Sequence, residues 1–167
     1  MHPAAYRFIE QHVPEKYSTV LELGGRFVNT SIRPLFPKAK YYWSIDIAEG
    51  KEVDEVFDAA TYQPNFEPDV VVCCEVLEHV GSDKAKEIVY NAVDMLKPGA
   101  TLLITAAGPF RPEHSGIDGN ALRPEEIYEN LWPDRLERWL RTRASFFSYI
   151  EIHHNIKACD IYARLVL

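Results

Sequence analysis

Val70-Val71-Val72-Cys73-Cys74 is apolar without alternation. A strand with that pattern is buried on both faces, so it sits at the centre of a parallel sheet with helices packed above and below. At 167 residues the chain has room for one such core and no second domain, and residues 1–167 read as a single domain whose active site must be built by one fold.

The flanking segments supply the partners that strand needs. Thr19-Val20-Leu21-Glu22-Leu23 reads as a buried strand halted by Gly24-Gly25. Asn29, Thr30 and Ser31 then offer caps to a short helix around Ile32, Leu35 and Phe36, which Pro37 ends. Tyr41 to Asp46 follows as an aromatic, β-branched strand, and Glu52 to Val56 as a short third one. Ahead of them, Pro3 opens a helix with Ala5, Phe8 and Ile9 on one face, terminated by Pro14.

Beyond the central strand, Ala85, Ile88, Val89, Ala92, Val93 and Leu96 recur at helical spacing, with Ser82 as cap and Pro98-Gly99 as stop. Ala100 to Thr105 makes a fifth strand, and a polar loop runs from Gly108 to Asn120. Pro124 opens helical patterning through Leu140, split into two helices at Pro133. Ala144 to His153 and Ala158 to Leu167 alternate in faces and form an antiparallel hairpin joined by His154 to Lys157. The expected fold class is α/β, Rossmann-like: an open sheet of five parallel strands closed by a C-terminal antiparallel hairpin, with its ligand at the carboxyl ends of the strands.

Charge and composition narrow the partners. A formal net charge of -7 and a pI near 5.4 give a field that repels polyanions, so a small molecule or a protein is the expected partner and not nucleic acid. No apolar run approaches the roughly 18 residues of a membrane span, and Met1-His2-Pro3-Ala4-Ala5-Tyr6-Arg7 lacks the features of a secretory signal, so the expected compartment is the cytoplasm. Three cysteines, two of them adjacent, form neither a disulfide framework nor paired metal knuckles, and read as buried thiols.

The chemistry concentrates at strand ends. Glycines at the end of the first strand let the backbone approach a ligand and present amide N–H groups beside a helix N-terminus. Asp46 ends the second strand some twenty residues on, where a carboxylate accepts both ribose hydroxyls of an adenosine ligand. A nicotinamide dinucleotide would need G-x-G-x-x-G, but Arg26 and Asn29 occupy two of its glycine positions.

Val20-Leu21-Glu22-Leu23-Gly24-Gly25, Ser44-Ile45-Asp46-Ile47, Cys74-Glu75-Val76-Leu77-Glu78-His79-Val80 and Leu96-Lys97-Pro98-Gly99-Ala100 resemble class I S-adenosylmethionine-dependent methyltransferases, and among them the small ubiquinone-biosynthesis-like, type 11 group. The likeness covers residues 18 to 106, and that family's sheet also ends on an inserted antiparallel strand. It implies S-adenosylmethionine as cofactor, methyl transfer to a small-molecule acceptor, and positions for its parts. Glu22, Gly24 and Gly25 would border the methionine end, Asp46 hold the ribose, Asp58-Ala59 meet the adenine, and Cys74-Glu75 line the site after the fourth strand. The family's D-x-G-x-G reads Glu22-Leu23-Gly24-Gly25-Arg26 here, so Arg26 is expected to fold over the loop and pair with the cofactor's carboxylate. N/D-P-P-Y/F, the mark of DNA amino-methyltransferases after strand four, is replaced by Cys74-Glu75-Val76-Leu77.

His114 is a candidate proton acceptor oriented by Asp118, and His79 either faces the cleft or caps the coming helix. Glu113, His114 and Asp118 match no strong metal-ligand spacing, so no metal is expected. Arg135, Arg138, Arg141 and Arg143 fall on a helical period and read as a solvated face. The rival readings are a non-catalytic cofactor-binding relative or partner subunit, and an NAD-dependent oxidoreductase. No element carries a readable code for the acceptor or for subunit number.

Overall fold

A computed structural model describes residues 2–143 and 149–167. Helix α1 spans Pro3–His12, with His2 Nδ1 accepting from the Ala4 amide at its start. It is followed by strands β1 (Thr19–Leu23), β2 (Tyr41–Asp46), β3 (Glu55–Val56) and β4 (Val70–Cys74). Then come α2 (Ser82–Asp94), β5 (Thr101–Ala107), α3 (Pro133–Arg143), β6 (Tyr149–Asn155) and β7 (Asp160–Val166).

The strands form one sheet in the order β3-β2-β1-β4-β5-β7-β6. The pairs from β3 to β5 are parallel, and β7 inserts antiparallel between β5 and β6. The expected fold class is the observed one. β4 shows why its sequence does not alternate: Val71 and Cys73 pack under α2 and α3 with Leu21, Leu102 and Leu136, while Val70, Val72 and Cys74 pack on the other face with α1 through Phe8 and Ile9. Both faces are core. Among the described residues no helix is long and apolar enough to cross a membrane.

Several local expectations are corrected. The helix expected around Ile32 is a single 3-10 turn, Arg33–Leu35, with Pro34 in its first turn. Only three residues fit before Phe36, and the preceding segment is tied to the loop after β2 through the Phe27 amide on the Lys51 carbonyl and the Ser31 hydroxyl on Glu52. The third strand is shortened because Glu52 takes a left-handed φ of 69°. Ser82 is the first helical residue and does not cap: Gly81 holds the cap position, and the Ser82 amide donates to Glu129. No helix forms over residues 124–132. There the Glu129 amide donates to the Glu78 carbonyl and the Leu131 amide to Ala107, so tertiary bonds take the donors a helix would have used. The hairpin turns two residues later than expected, and positions 144–148 of its expected first strand lie outside the described residues. Arg135, Arg141 and Arg143 are paired with Glu129, Glu137 and Asp94, as a solvated face predicts.

Candidate functional site

In chain order the sheet grows from β1 toward β3, then restarts on the other side of β1 with β4. The carboxyl ends of β1 and β4 therefore diverge, and a cleft of about 610 Å³ opens there. Glu22, Gly24, Gly25 and Arg26 line it from β1, Asp46 from β2, Asp58 and Ala59 from the loop after β3, and Cys74 and Glu75 from β4. His79 follows β4, and His114 enters from the loop after β5. One fold thus gathers these residues around a single space.

The glycine bend is tighter than a turn alone requires. Gly24 has φ 77°, and a Cβ on it would lie 2.2 Å from Val76. A Cβ on Gly25 would lie 1.9 Å from Ser44 Oγ and 2.7 Å from the Glu22 carboxylate. The expectation that these glycines present free amides beside a helix N-terminus is not met. Both amides donate to the Ile45 carbonyl, at 2.8 and 3.0 Å, and only the short 3-10 turn follows. Their smallness serves the packing of β1 against β2 and the segment after β4.

Asp46 stands at the tip of β2, accepting from the Arg26 and Ala48 amides at 3.2 and 3.0 Å. The Arg26 Nε lies 3.8 Å from its other oxygen, and Arg26 also donates to the Gly116 carbonyl at 3.0 Å. This arginine therefore bridges the glycine bend and the loop after β5. Gly50 has no side chain where the Arg26 stem passes, since a Cβ there would meet it at 2.6 Å. Asp58 pairs with Lys84 at 2.7 Å, and that bond holds its carboxyl below the ordinary range.

Glu22 is a buried carboxylate of the site. Removal from water pushes its pKa up to about 7, against the smaller opposing effects of the Tyr42 hydroxyl, which donates to it at 2.7 Å, and of Arg33. Between about 4.5, where an unfolded glutamate ionises, and about 7, unfolding releases a proton, so stability falls as pH rises. Glu22→Gln removes this dependence. Relative to the parent it gains up to about 3 kcal/mol between pH 5 and pH 8, read from urea midpoints of the ligand-free chain; a constant difference across that range would contradict the assignment.

At the far end, Cys74 Sγ and Thr105 Oγ1 lie 2.8 Å apart, and burial raises the Cys74 thiol well above its usual range. All three cysteines are free, and Cys73 and Cys74 are buried. Glu75 takes φ 57° and turns the chain out of β4 into the 3-10 turn Leu77–His79. Its carboxyl is pushed up by burial first and then by Asp160. Burial, then the His114 ring, lowers His79 to about 4, so its imidazole is neutral at pH 7.

Asp118 does not orient His114. It pairs with Arg123 at 2.6 Å and accepts from the Asn120 amide, while His114 Nδ1 lies 3.2 Å from the Pro112 carbonyl oxygen. The short loop turn around Asp118 satisfies its carboxylate locally.

Residue types alone did not single out Tyr42, Ser44, Arg111 or Tyr128. The β1–β2 register sets Ser44 beside Glu22 and Tyr42 beside Val20, so alternation along β2 from the first carboxylate would have found both. Arg111 and Asp160, paired at 2.6 Å, meet only through the insertion of β7.

No family model matches the chain, and no curated protein sequence does. Its shape has many counterparts among solved structures. An S-adenosylmethionine-dependent methyltransferase from Clostridium acetobutylicum superposes with a TM-score of 0.72 at 13% identity, over 100% of this chain and 92% of that one. The 1,6-didemethyltoxoflavin-N1-methyltransferase of Burkholderia thailandensis, solved with 1,6-didemethyltoxoflavin and S-adenosylhomocysteine, gives 0.66 at 13% identity over 98% and 75%. The magnesium protoporphyrin IX methyltransferase of Synechocystis, solved with S-adenosylmethionine, gives 0.62 at 14% over 98% and 76%. The sheet order, the inserted antiparallel strand and these superpositions together give the chain the Rossmann-like fold of the class I S-adenosylmethionine-dependent methyltransferases.

Proposed function

We infer that the cleft binds S-adenosylmethionine and that the chain transfers its methyl group to a small-molecule acceptor. The observation that carries this is Asp46: a carboxylate at the tip of the strand beside β1, on the rim of a cleft at the switch point, where the two hydroxyls of a ribose find their acceptors. The residues present fit such a cofactor. The volume lies within the range of nucleoside sites, and Phe57, Asp58, Ala59 and Val80 offer a mixed apolar and polar wall for a base.

When bound, the cofactor's sulfonium supplies an electrophilic methyl group. The chain's part is to align an acceptor with it and exclude water. Glu22 and the glycine bend would border the methionine end, together with Cys74 and Glu75 from the neighbouring strand. Arg26, which donates to the Gly116 carbonyl, would reach the cofactor's carboxylate and offer a charge-assisted bond in place of the family's second glycine. The acceptor enters beside the loop after β5, where Ile117 and His114 line the cleft. Asp118, turned to Arg123, does not orient His114 for proton removal.

Arg26→Ala is expected to weaken S-adenosylhomocysteine about tenfold, the worth of one charge-assisted bond, measured by calorimetry. Unchanged affinity would leave Arg26 its contacts with Asp46 and Gly116 alone.

A non-catalytic relative that holds the same cofactor is the second reading, favoured by the spent amides of Gly24 and Gly25. Thermal shift and label transfer separate the readings. S-adenosylhomocysteine raises the melting temperature and NAD does not; a shift with NAD alone would make the chain an oxidoreductase. Transfer of labelled methyl to a panel of small acceptors distinguishes an enzyme from a binder.

A further inference from the structure

Behind the loop end of the cleft lies a group of polar atoms that nothing in methyl transfer uses. Glu78 is fully buried; the backbone amides of Glu78 and Ala107 approach its carboxylate, but neither oxygen has a well-formed hydrogen bond. Nor do His79 Nδ1 and the Tyr128 hydroxyl. The rings of His79 and His114 meet edge to face at 5.0 Å between centroids, and Tyr128 packs on both at 5.4 and 5.0 Å. Gly116 lets the loop close on this group, since a Cβ there would lie 3.0 Å from the His79 ring. Buried polar atoms left unpaired are costly, and four in one place call for a common partner.

We propose that Glu78, His79 and His114 form a site for one divalent transition-metal ion in the wall of the cleft. Each offers a ligand atom, and the three atoms lie within 4.8 Å of one another. A tetrahedral ion with bonds near 2.1 Å spaces its ligands about 3.4 Å apart, so side-chain rotation closes the rest. Two imidazoles and a carboxylate suit zinc and its neighbours better than magnesium or calcium, which prefer oxygen alone.

The local charge agrees. Glu75, Glu78 and Asp160 are close enough to repel one another, and Arg111, paired with Asp160, is the guanidinium set against them. His79 and His114 line the cleft while Glu78 lies behind it, so the ion's remaining positions face the cleft and are open to water or an acceptor's oxygen. The three converge only because the loop after β5 folds over the turn that follows β4, so no short spacing in the sequence marks them. The site goes beyond the reading of the cleft as a methyl-donor site and does not require it.

The test is titration of the chelator-treated full chain with zinc chloride by calorimetry. The expected result is one ion per chain, with affinity at least tenfold weaker in His114→Ala and in Glu78→Gln, and unchanged when both His153 and His154 in β6 become Ala. His114 lies on a loop, so His114→Ala folds even where Glu78→Gln does not, and the zinc-dependent rise in melting temperature vanishes in it. Zinc-edge anomalous diffraction then places the ion within about 2.5 Å of the three side chains. No saturable binding up to about 100 μM, full affinity in His114→Ala, or an anomalous peak elsewhere would overturn the proposal.

Discussion

Asp46→Ala loses at least about a hundredfold in affinity for S-adenosylhomocysteine, the sum of two charge-assisted hydrogen bonds to the ribose at about 1.5 kcal/mol or more each. The carboxylate also accepts from the Ala48 and Arg26 amides, so truncation loosens the turn after β2 as well. Asp46→Asn separates the two effects. It keeps the size of the side chain and one acceptor oxygen, so it loses the charge and one of the two amide bonds, loosens the turn less than alanine does, and is expected to weaken the ligand about tenfold. Calorimetry on both variants, with urea midpoints alongside, reads ligand loss apart from fold loss. Equal affinity in parent and Asp46→Ala would remove the ribose assignment.

Gly25→Ala is the second large effect, expressed first as stability. Its Cβ must displace Ser44, which is fully buried, and the Glu22 carboxylate held by Tyr42. Overpacking of this kind costs up to about 3 kcal/mol, which in a chain of this length lowers the melting temperature by about 6–12 °C. Gly99→Ala is the control: φ is 83° and nothing lies within 4 Å of an added Cβ, so only the left-handed backbone is strained, at about 1–2 kcal/mol. Gly25→Ala should also weaken S-adenosylhomocysteine, because the bend lines the cleft, whereas Gly99→Ala should not. Melting curves with and without ligand decide it. If the two variants fall together in both respects, the bend is an ordinary turn.

The parts of the fold that were legible are those where one local pattern has one packing solution. Val70 to Cys74, apolar at every step, admits a central strand and little else, and its neighbours in the sheet follow. Gly24-Gly25 and Asp46 were legible as a bend and a strand tip because both are set by the ends of strands. The failures lie where a tertiary bond outbids a local preference. Residues 124–132 carry helical spacing, yet the amides of Glu129 and Leu131 are taken by the Glu78 and Ala107 carbonyls of other elements. Gly24 and Gly25 were expected to offer donors, but the Ile45 carbonyl takes both amides. Asp118 stands near His114 in sequence and turns to Arg123 in space. Glu78 was half of a recognised string, but its burial without a well-formed hydrogen bond depends on the closure of a loop distant in sequence, which no periodicity encodes.

The central claim is that this cleft holds S-adenosylmethionine by its sugar, and a crystal structure of the chain grown with S-adenosylhomocysteine tests it most directly. The account predicts the ribose hydroxyls within hydrogen-bond distance of the Asp46 carboxylate, the adenine beside Asp58 and Ala59, and the amino-acid end between the glycine bend and Cys74-Glu75. Density for the ligand away from Asp46, or a cleft without it at saturating concentration, would contradict the account and leave the fold without the function inferred from it.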